Sequence, residues 1–439
     1  RQQQTKPGSL QELSRYSEIV VETYQLLAGI PSISPEDRKT LLDERLTDNI
    51  ISMVTECPQW PCSAHAIAAI TALLSNSYFP AELETLIFKV TTKMLGCISN
   101  LIKQPQLVTT VHGRNDIFFP QMTEFFKAIT QYHFRRFENS AHFPMDQFLL
   151  LLFEYTFQLP DPEMFLEALE LWKSIFEHVR DVYELCDQTA VSASSLSRVD
   201  LYMGGLEAFG KRLVETILYS QNGSVLSEFD DESLGALEDW AYQEAPDGGI
   251  ADAKSEGGAQ TEALLPFARS EVEVYIAKCA SMVEKVMGLD PVARPMITLL
   301  LPSLSDAVDK YRALLFPNGQ LTNSFSHELK FAVNDLTSLV YCFSCGVNTL
   351  TKYFADIFES SYQVYTVLLQ LAMEILKNRL YTGGHYITKC VVSVIDCLSS
   401  FGSWLYLLQE QRHSLPQKFA DLVPQVFEHS AVVVVEGLH

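Results

Sequence analysis

From Leu329 to Leu350 the apolar residues Leu329, Val333, Leu336, Leu339, Val340, Phe343, Val347 and Leu350 recur at three- and four-residue steps. That spacing gathers them on one face of an α-helix. The following segment repeats the pattern with Val364, Val367, Leu368, Leu371, Ile375 and Leu376, while Asp335, Asn348, Gln363 and Gln370 fall between stripe positions. Two amphipathic helices in series result, with those four polar residues on their wet side. Similar periodicity predicts helices over about residues 37–55, 81–102, 118–137, 198–219, 292–315 and 386–411, among others. No alternation of apolar and polar residues is long enough to argue for a sheet, and the β-branched run Val432 to Val435 is terminal. The fold class is all-α.

Helix starts carry their own chemistry. Asp161 precedes Pro162 and Glu163, which places a capping carboxylate before a proline whose missing N–H is harmless in a first turn. Ser34-Pro35 and Asp290-Pro291 repeat the device, and Ser9 with Glu12 and Ser270 with Glu273 have capping-box spacing. Pro80, Pro120 and Pro160 are 40 residues apart and Pro105 and Pro144 are 39 apart, between helix-length apolar segments. A two-helix unit of about 40 residues is the period of HEAT-type repeats. The expected architecture is therefore an α-solenoid, a superhelix of roughly seven HEAT-type helical hairpins.

Residues 221–262 break the pattern. They hold 11 acidic side chains against one base, Lys254, for a net charge of −10, and six glycines. A stretch so charged and so poor in large aliphatic residues is expected to be a disordered acidic, glycine-rich loop. The domain reading is HEAT-type repeats over 1–220, the loop over 221–262, and repeats continuing the same solenoid over 263–439.

The whole chain, 439 residues long, has 32 Lys and Arg against 54 Asp and Glu and a formal charge of −22. Such a field argues against nucleic acid or an anionic membrane surface as the main partner and favours partners with basic patches. The apolar runs Phe148 to Phe153 and Ala431 to Val435 fall far short of the roughly 20 residues a spanning helix needs, so no membrane insertion is expected. Nine cysteines are too sparse for a disulfide framework and no secretory leader pattern opens the chain, from which a reducing compartment, cytosol or nucleus, is expected. The first residue is Arg1 rather than Met, which leads us to expect a longer parent polypeptide.

Catalytic signatures are weak. Gly205 to Lys211 has the spacing of a phosphate-binding loop but continues with Arg212 where a hydroxyl is needed, and it sits inside an amphipathic segment rather than after a strand. Cys342 and Cys345, or Cys57 and Cys62, lack a second ligand pair, so packing is favoured over a metal site. His133, His142 and His178 lie near carboxylates in sequence but beside no nucleophile turn. No enzyme activity, catalytic residue, metal or cofactor is expected. Two binding candidates remain. The acidic run, with Asp230, Asp231, Glu232, Glu238 and Asp239, could attract a basic partner at long range. Arg135 and Arg136, between Phe134 and Phe137, could pair with carboxylates on a cargo, the alternative being salt bridges with Glu138 or a neighbouring helix.

Several strings are also familiar. His133 to Glu138 (HFRRFE) followed by His142 to Phe157 (HFPMDQFLLLLFEYTF) resembles the central region of nuclear export receptors of the importin-beta, or karyopherin, superfamily. Leu73 to Glu84, Phe229 to Leu234, Asn334 to Leu339 and Lys352 to Phe358 are similar to successive segments of that family, in order, over about residues 65–380. The resemblance implies a HEAT-repeat superhelix that binds protein cargo together with Ran-GTP, passes nucleoporins in the pore and shuttles between nucleus and cytoplasm. The member it resembles implies actin with profilin as cargo. The amino-terminal repeats with which such receptors make their primary Ran contact are missing from the resemblance, and the glycine-rich stretch Gly235 to Glu262 is longer than the family's. The competing reading is a HEAT scaffold that organises a multiprotein assembly without transport. Replacing Asp230, Asp231 and Glu232 by Ser is expected to weaken binding to a basic partner and flatten its salt dependence; titrations at two ionic strengths test this, and unchanged affinity at low salt removes the loop from the account.

Overall fold

In the computed structural model the described residues are positions 22, 26, 34, 36, 37 and 40, then 43–228 and 271–437 apart from 57, 76–83, 141–142, 189–192, 318–325, 379–384, 413–414, 416 and 421–422. Among them there is no strand. The chain is all-α and forms two compact units, Arg1–Gly205 and Leu206–His439. The capping-box residues Ser9, Glu12 and Ser270, and the expected loop from residue 229 onward, lie outside the described residues.

The first unit is built from α1 (Glu44–Glu56), α2 (Pro61–Leu74), α3 (Glu84–Ile102), α4 (Pro105–His112), α5 (Phe118–Ala128), a π-turn (Ile129–His133), α6 (Phe134–Glu138), α7 (Met145–Gln158) and α8 (Pro162–Gln188), and reaches into α9 (Ala193–Ile217). Helices pack on their nearest and next-but-nearest neighbours in sequence: α1 on α2 and α3, α3 on α4 and α7, α7 on α8. That is how a row of helical hairpins buries its apolar stripes. α2 is apolar nearly all round, with Ala64, Ala66, Ile67, Ala69, Ile70 and Leu74 shut from water, because α1 covers one side and α5 another.

Prolines mark helix starts rather than linkers. Pro105 opens α4, a helix the periodicity did not reveal because eight residues give too few apolar repeats. Pro120 is the third residue of α5, where its missing N–H has no carbonyl to serve. Asp161 Oδ1 accepts the N–H of Glu163 at 2.7 Å and so caps α8. Fully buried polar ties then lock unit 1. Tyr155 Oη donates to the carbonyl of Phe119 at 3.0 Å and lies 2.7 Å from the Thr123 hydroxyl, while Trp172 Nε1 donates to Thr156 Oγ1 at 3.0 Å.

The second unit contains α10 (Tyr219–Glu228), α11 (Glu271–Met287), α12 (Asp290–Leu315), α13 (His327–Lys352), α14 (Phe358–Lys377), α15 (His385–Ser400), α16 (Gly402–Glu410), α17 (Gln417–Ala420) and α18 (Val423–Gly437). At its centre α13 packs on α10, α11, α12, α14, α15 and α16. Gly346 lets α12 come close: a Cβ there would meet Ile297 Cδ1 at 2.9 Å. Ser326 caps α13 by accepting the Leu329 N–H at 3.2 Å. By contrast, Leu289 rather than Asp290 holds the capping position of α12 and makes no side-chain bond.

Two sequence expectations change here. The single helix expected over 386–411 is broken into α15 and α16, bent by 43° at Phe401. Phe401 is buried against Tyr365 and Trp404, so tertiary packing sets the bend. No single described helix is long and apolar enough to cross a membrane. Secondly, Asp335 does not sit on a wet face. It is 4 % exposed and its carboxylate accepts the N–H groups of Tyr219, at 2.6 Å, and Ser220, at 3.1 Å. It caps α10 from more than a hundred residues away, and Tyr219 stacks on Phe331 at 4.3 Å beside it. Burial pushes the Asp335 carboxyl above the usual range, and the two N–H bonds pull it part of the way back. α10 carries the chain through Glu228, so positions 221–228, expected to be loop, are helical.

Asp335→Ala is expected to destabilise the second unit by about 1–3 kcal/mol, since two buried donors lose their acceptor. Asp335→Asn, which keeps one acceptor, is expected to lose less. Urea unfolding with hydrogen exchange at Tyr219 and Ser220 reads both; unchanged exchange in the Ala variant would remove Asp335 from the cap.

Candidate functional site

Of the sequence-predicted partner residues, Asp230, Asp231, Glu232, Glu238 and Asp239 lie outside the described residues. Arg135 and Arg136 fall on α6, just after the π-turn that interrupts the helix expected over 118–137. A π-turn inserts an extra residue and re-aims the side chains that follow it, and such turns often occur at functional sites. Here it turns His133 inward. His133 is buried; its Nε2 donates to the carbonyl of Leu74, the last residue of α2, at 2.6 Å, and its Nδ1 accepts from Arg136 Nη1 at 3.2 Å. The ring also stacks on Phe137 at 5.7 Å.

The two arginines therefore differ. Arg136 is half-buried, committed to His133, with Nε 4.0 Å from Glu84 at the start of α3. Arg135 is exposed and is the one whose guanidinium is presented outward. Glu138 pairs elsewhere: its carboxylate, 3 % exposed, receives His178 Nε2 from α8 at 3.0 Å and the Tyr202 hydroxyl from α9 at 2.5 Å. Phe134 fills the space between, edge-on to His178 at 5.2 Å and stacked on Tyr202 at 6.3 Å. This trio was invisible in sequence because its members are 40 and 64 residues apart.

Burial, the largest effect, lowers the His133 pKa to about 4, and the Arg136 guanidinium adds to it, against the raising effect of the Leu74 carbonyl. At neutral pH the ring is therefore neutral, as its accepting Nδ1 requires.

A second acidic surface is fully described. On α8, Glu163, Glu167, Glu170, Glu177 and Asp181 are exposed and spaced so that they share one face. The row runs about 27 Å at 1.5 Å per residue. Lys173 approaches only Glu170, at 3.7 Å. The i, i+4, i+7, i+14, i+18 spacing was the signal available in sequence.

The remaining chemistry candidates are structural. Gly205 to Lys211 lies wholly within α9, and a Cβ on Gly210 would come within 2.5 Å of Met296 Sδ and 2.8 Å of Val286 Cγ1. That glycine serves helix contact rather than a phosphate. Cys342 is buried and Cys345 half-buried on α13; burial pushes both thiols up, Cys345 to about 11. Cys62 is buried, while Cys57 and His142 lie outside the described residues. Among the described residues no three His, Cys, Asp or Glu side chains gather as a metal site.

No family model matches the chain, and no solved structure matches it. Among curated proteins it is similar to Exportin-6 of Dictyostelium discoideum, 23% identical over 346 residues that make up 78% of this chain and 29% of that protein. Exportin-6 of Danio rerio is 23% identical over 372 residues and Exportin-6 of Homo sapiens 22% over 372, each covering 80% of this chain and 29% of the relative. The chain thus spans 29% of the length of these relatives. The resemblance inferred from helix-face strings and the similarity over four-fifths of the chain point to the same family, and the stacked helical hairpins are of the HEAT type that similarity implies.

His133 titration gives a signed expectation. Its folded pKa lies below the unfolded one, so its stabilisation is complete above about pH 6.5 and is lost as pH falls towards 4. The difference of about 2.5 units corresponds to about 3 kcal/mol at most. His133→Gln is expected to flatten the acid limb of stability between pH 6.5 and 4, measured by thermal unfolding across that range. An acid limb as steep as in the parent chain would place the titrating group elsewhere.

Proposed function

We propose that this chain is part of a nuclear export receptor, one that binds protein cargo cooperatively with Ran-GTP and carries it through the nuclear pore by way of nucleoporins. The observation that carries the reading is the collinear similarity to Exportin-6 proteins across four-fifths of the chain. Cargo and Ran-GTP binding then form one coupled equilibrium, in which each ligand raises affinity for the other by the same factor. An array whose helices contact mainly near neighbours suits this, because small changes at each hairpin add along its length. The proposed cargo is actin with profilin, and the receptor shuttles between nucleus and cytoplasm, with no catalytic step of its own.

Two features of this chain suit a partner with basic patches: the acidic run with Asp230, Asp231, Glu232, Glu238 and Asp239, and the acidic face of α8. Arg135 offers a carboxylate contact of opposite sign, while Arg136 is held by His133 and serves the fold. The test is a pull-down from nuclear extract with the complete parent protein, with and without Ran locked in its GTP form. Retention of actin and profilin only when Ran-GTP is present is the expected result. Retention of the same partners regardless of Ran would replace this reading with an assembly scaffold.

A further inference from the structure

Among the described residues of the second unit, one face of α12 forms an open groove of about 800 Å³ lined by Pro291, Arg294, Pro295, Thr298, Leu299 and Ile357, and closed at its far end by Pro302. Leu299 is 42% exposed in it, a large apolar side chain left in water. Pro295 and Pro302 lie inside the helix and have no N–H to return to the carbonyls of Pro291 and Thr298. Those two carbonyls keep acceptor capacity on the groove face, seven residues and so about 10 Å apart.

The same face continues past Pro302 to Asp306 and Asp309, both exposed. At the other end Asp356 is exposed as well, 3.6 Å from Arg294, whose guanidinium lies 5.4 Å over the Tyr353 ring. Arg312 is 2.7 Å from Glu374 and 3.9 Å from Asp309, and Lys310 is exposed beside Asp306. Acceptors and carboxylates outnumber cations along the groove. Neither a second copy of this chain, at a net −22, nor its own acidic run of residues 221–262, at −10, complements that face.

We propose that this groove docks an extended, basic segment of a partner protein, whose backbone N–H groups meet the proline-freed carbonyls, whose aliphatic side chain lies on Leu299, and whose Lys or Arg reaches Asp306 and Asp309. Leu299 and Asp306 are seven residues apart, about 10 Å along the helix, which equals three residues of extended chain. The recognised pattern is therefore an aliphatic residue followed three positions later by a basic one. Main-chain bonds supply binding and the spaced side chains supply selectivity, as in other extended-peptide sites.

The probe is a fluorescein-labelled peptide containing two Leu-Gly-Ser-Arg repeats, titrated by fluorescence anisotropy against the full chain, beside a version with Glu in place of each Arg. The expected result is at least tenfold tighter binding of the basic peptide, with affinity falling as salt rises. Leu299→Ser, and Asp306→Lys with Asp309→Lys, are each expected to weaken it tenfold without moving the thermal midpoint, while Val392→Ser on exposed α15 leaves it unchanged. Pro302→Ala returns an N–H to Thr298 and is expected to raise the thermal midpoint yet weaken the peptide. Equal binding of the two peptides, or no binding at about 1 mM, overturns the proposal. So does tighter binding after deletion of residues 229–270, which would make that segment the occupant, or a dimer that Leu299→Ser dissolves, which would make it a second copy.

Discussion

A helix packed on several sides has no wet face on which to park its polar residues, and much of this molecule follows from that constraint. In the second unit α13 is enclosed by α10, α11, α12, α14, α15 and α16. Its glycine at 346 sets how closely α12 can approach, and its one deeply buried carboxylate, Asp335, must be satisfied by protein. The nearest donors able to serve it are the first N–H groups of α10, which have no partner within their own helix. Two unsatisfied ends thus cancel, and the start of α10 is fixed to the middle of α13.

The first unit solves the same problem with a π-turn. The extra residue between α5 and α6 rotates His133 into the core, where the terminal carbonyl of α2 needs a donor. The ring must be neutral to accept from Arg136, and burial among Leu74, Phe137 and their neighbours keeps it so. Arg136 is thereby withdrawn from the surface while Arg135, one residue earlier, is presented on it. Glu138 is likewise consumed by His178 and Tyr202 rather than by either arginine. A string of six residues that reads in sequence as one binding motif separates into one outward cation and a set of internal ties.

Local rules made the helices legible. The three- and four-residue recurrence from Leu329 to Leu350 and from Val364 to Leu376 became α13 and α14 nearly end for end, because their apolar stripes are long enough to average over exceptions. α4 was hidden because it is short, and the bend between α15 and α16 was hidden because Phe401 is drawn into contacts with Tyr365 and Trp404 that no local pattern encodes. The family likeness was legible from ordered blocks of helix surface, and the similarity to Exportin-6 proteins rests on the same residues. The acidic face of α8 was legible in principle from its spacing; the groove on α12 was not, since it needs Ile357 from the next hairpin as well as the prolines.

The sequence by itself determined that the chain is helical, that its helices begin at prolines and capping residues, that its field is strongly negative, and that it carries no ordered set of catalytic side chains. Those properties depend on neighbours within one or two turns or on composition alone. The tertiary structure decided which polar residues are exposed. Whether Asp335, Glu138, His133 or Arg136 faces water depends on partners 116, 64, 59 and 52 positions distant, and burial changes both their protonation and their availability. Periodicity assigns a residue to a face of its own helix; only packing determines whether that face meets solvent or another helix.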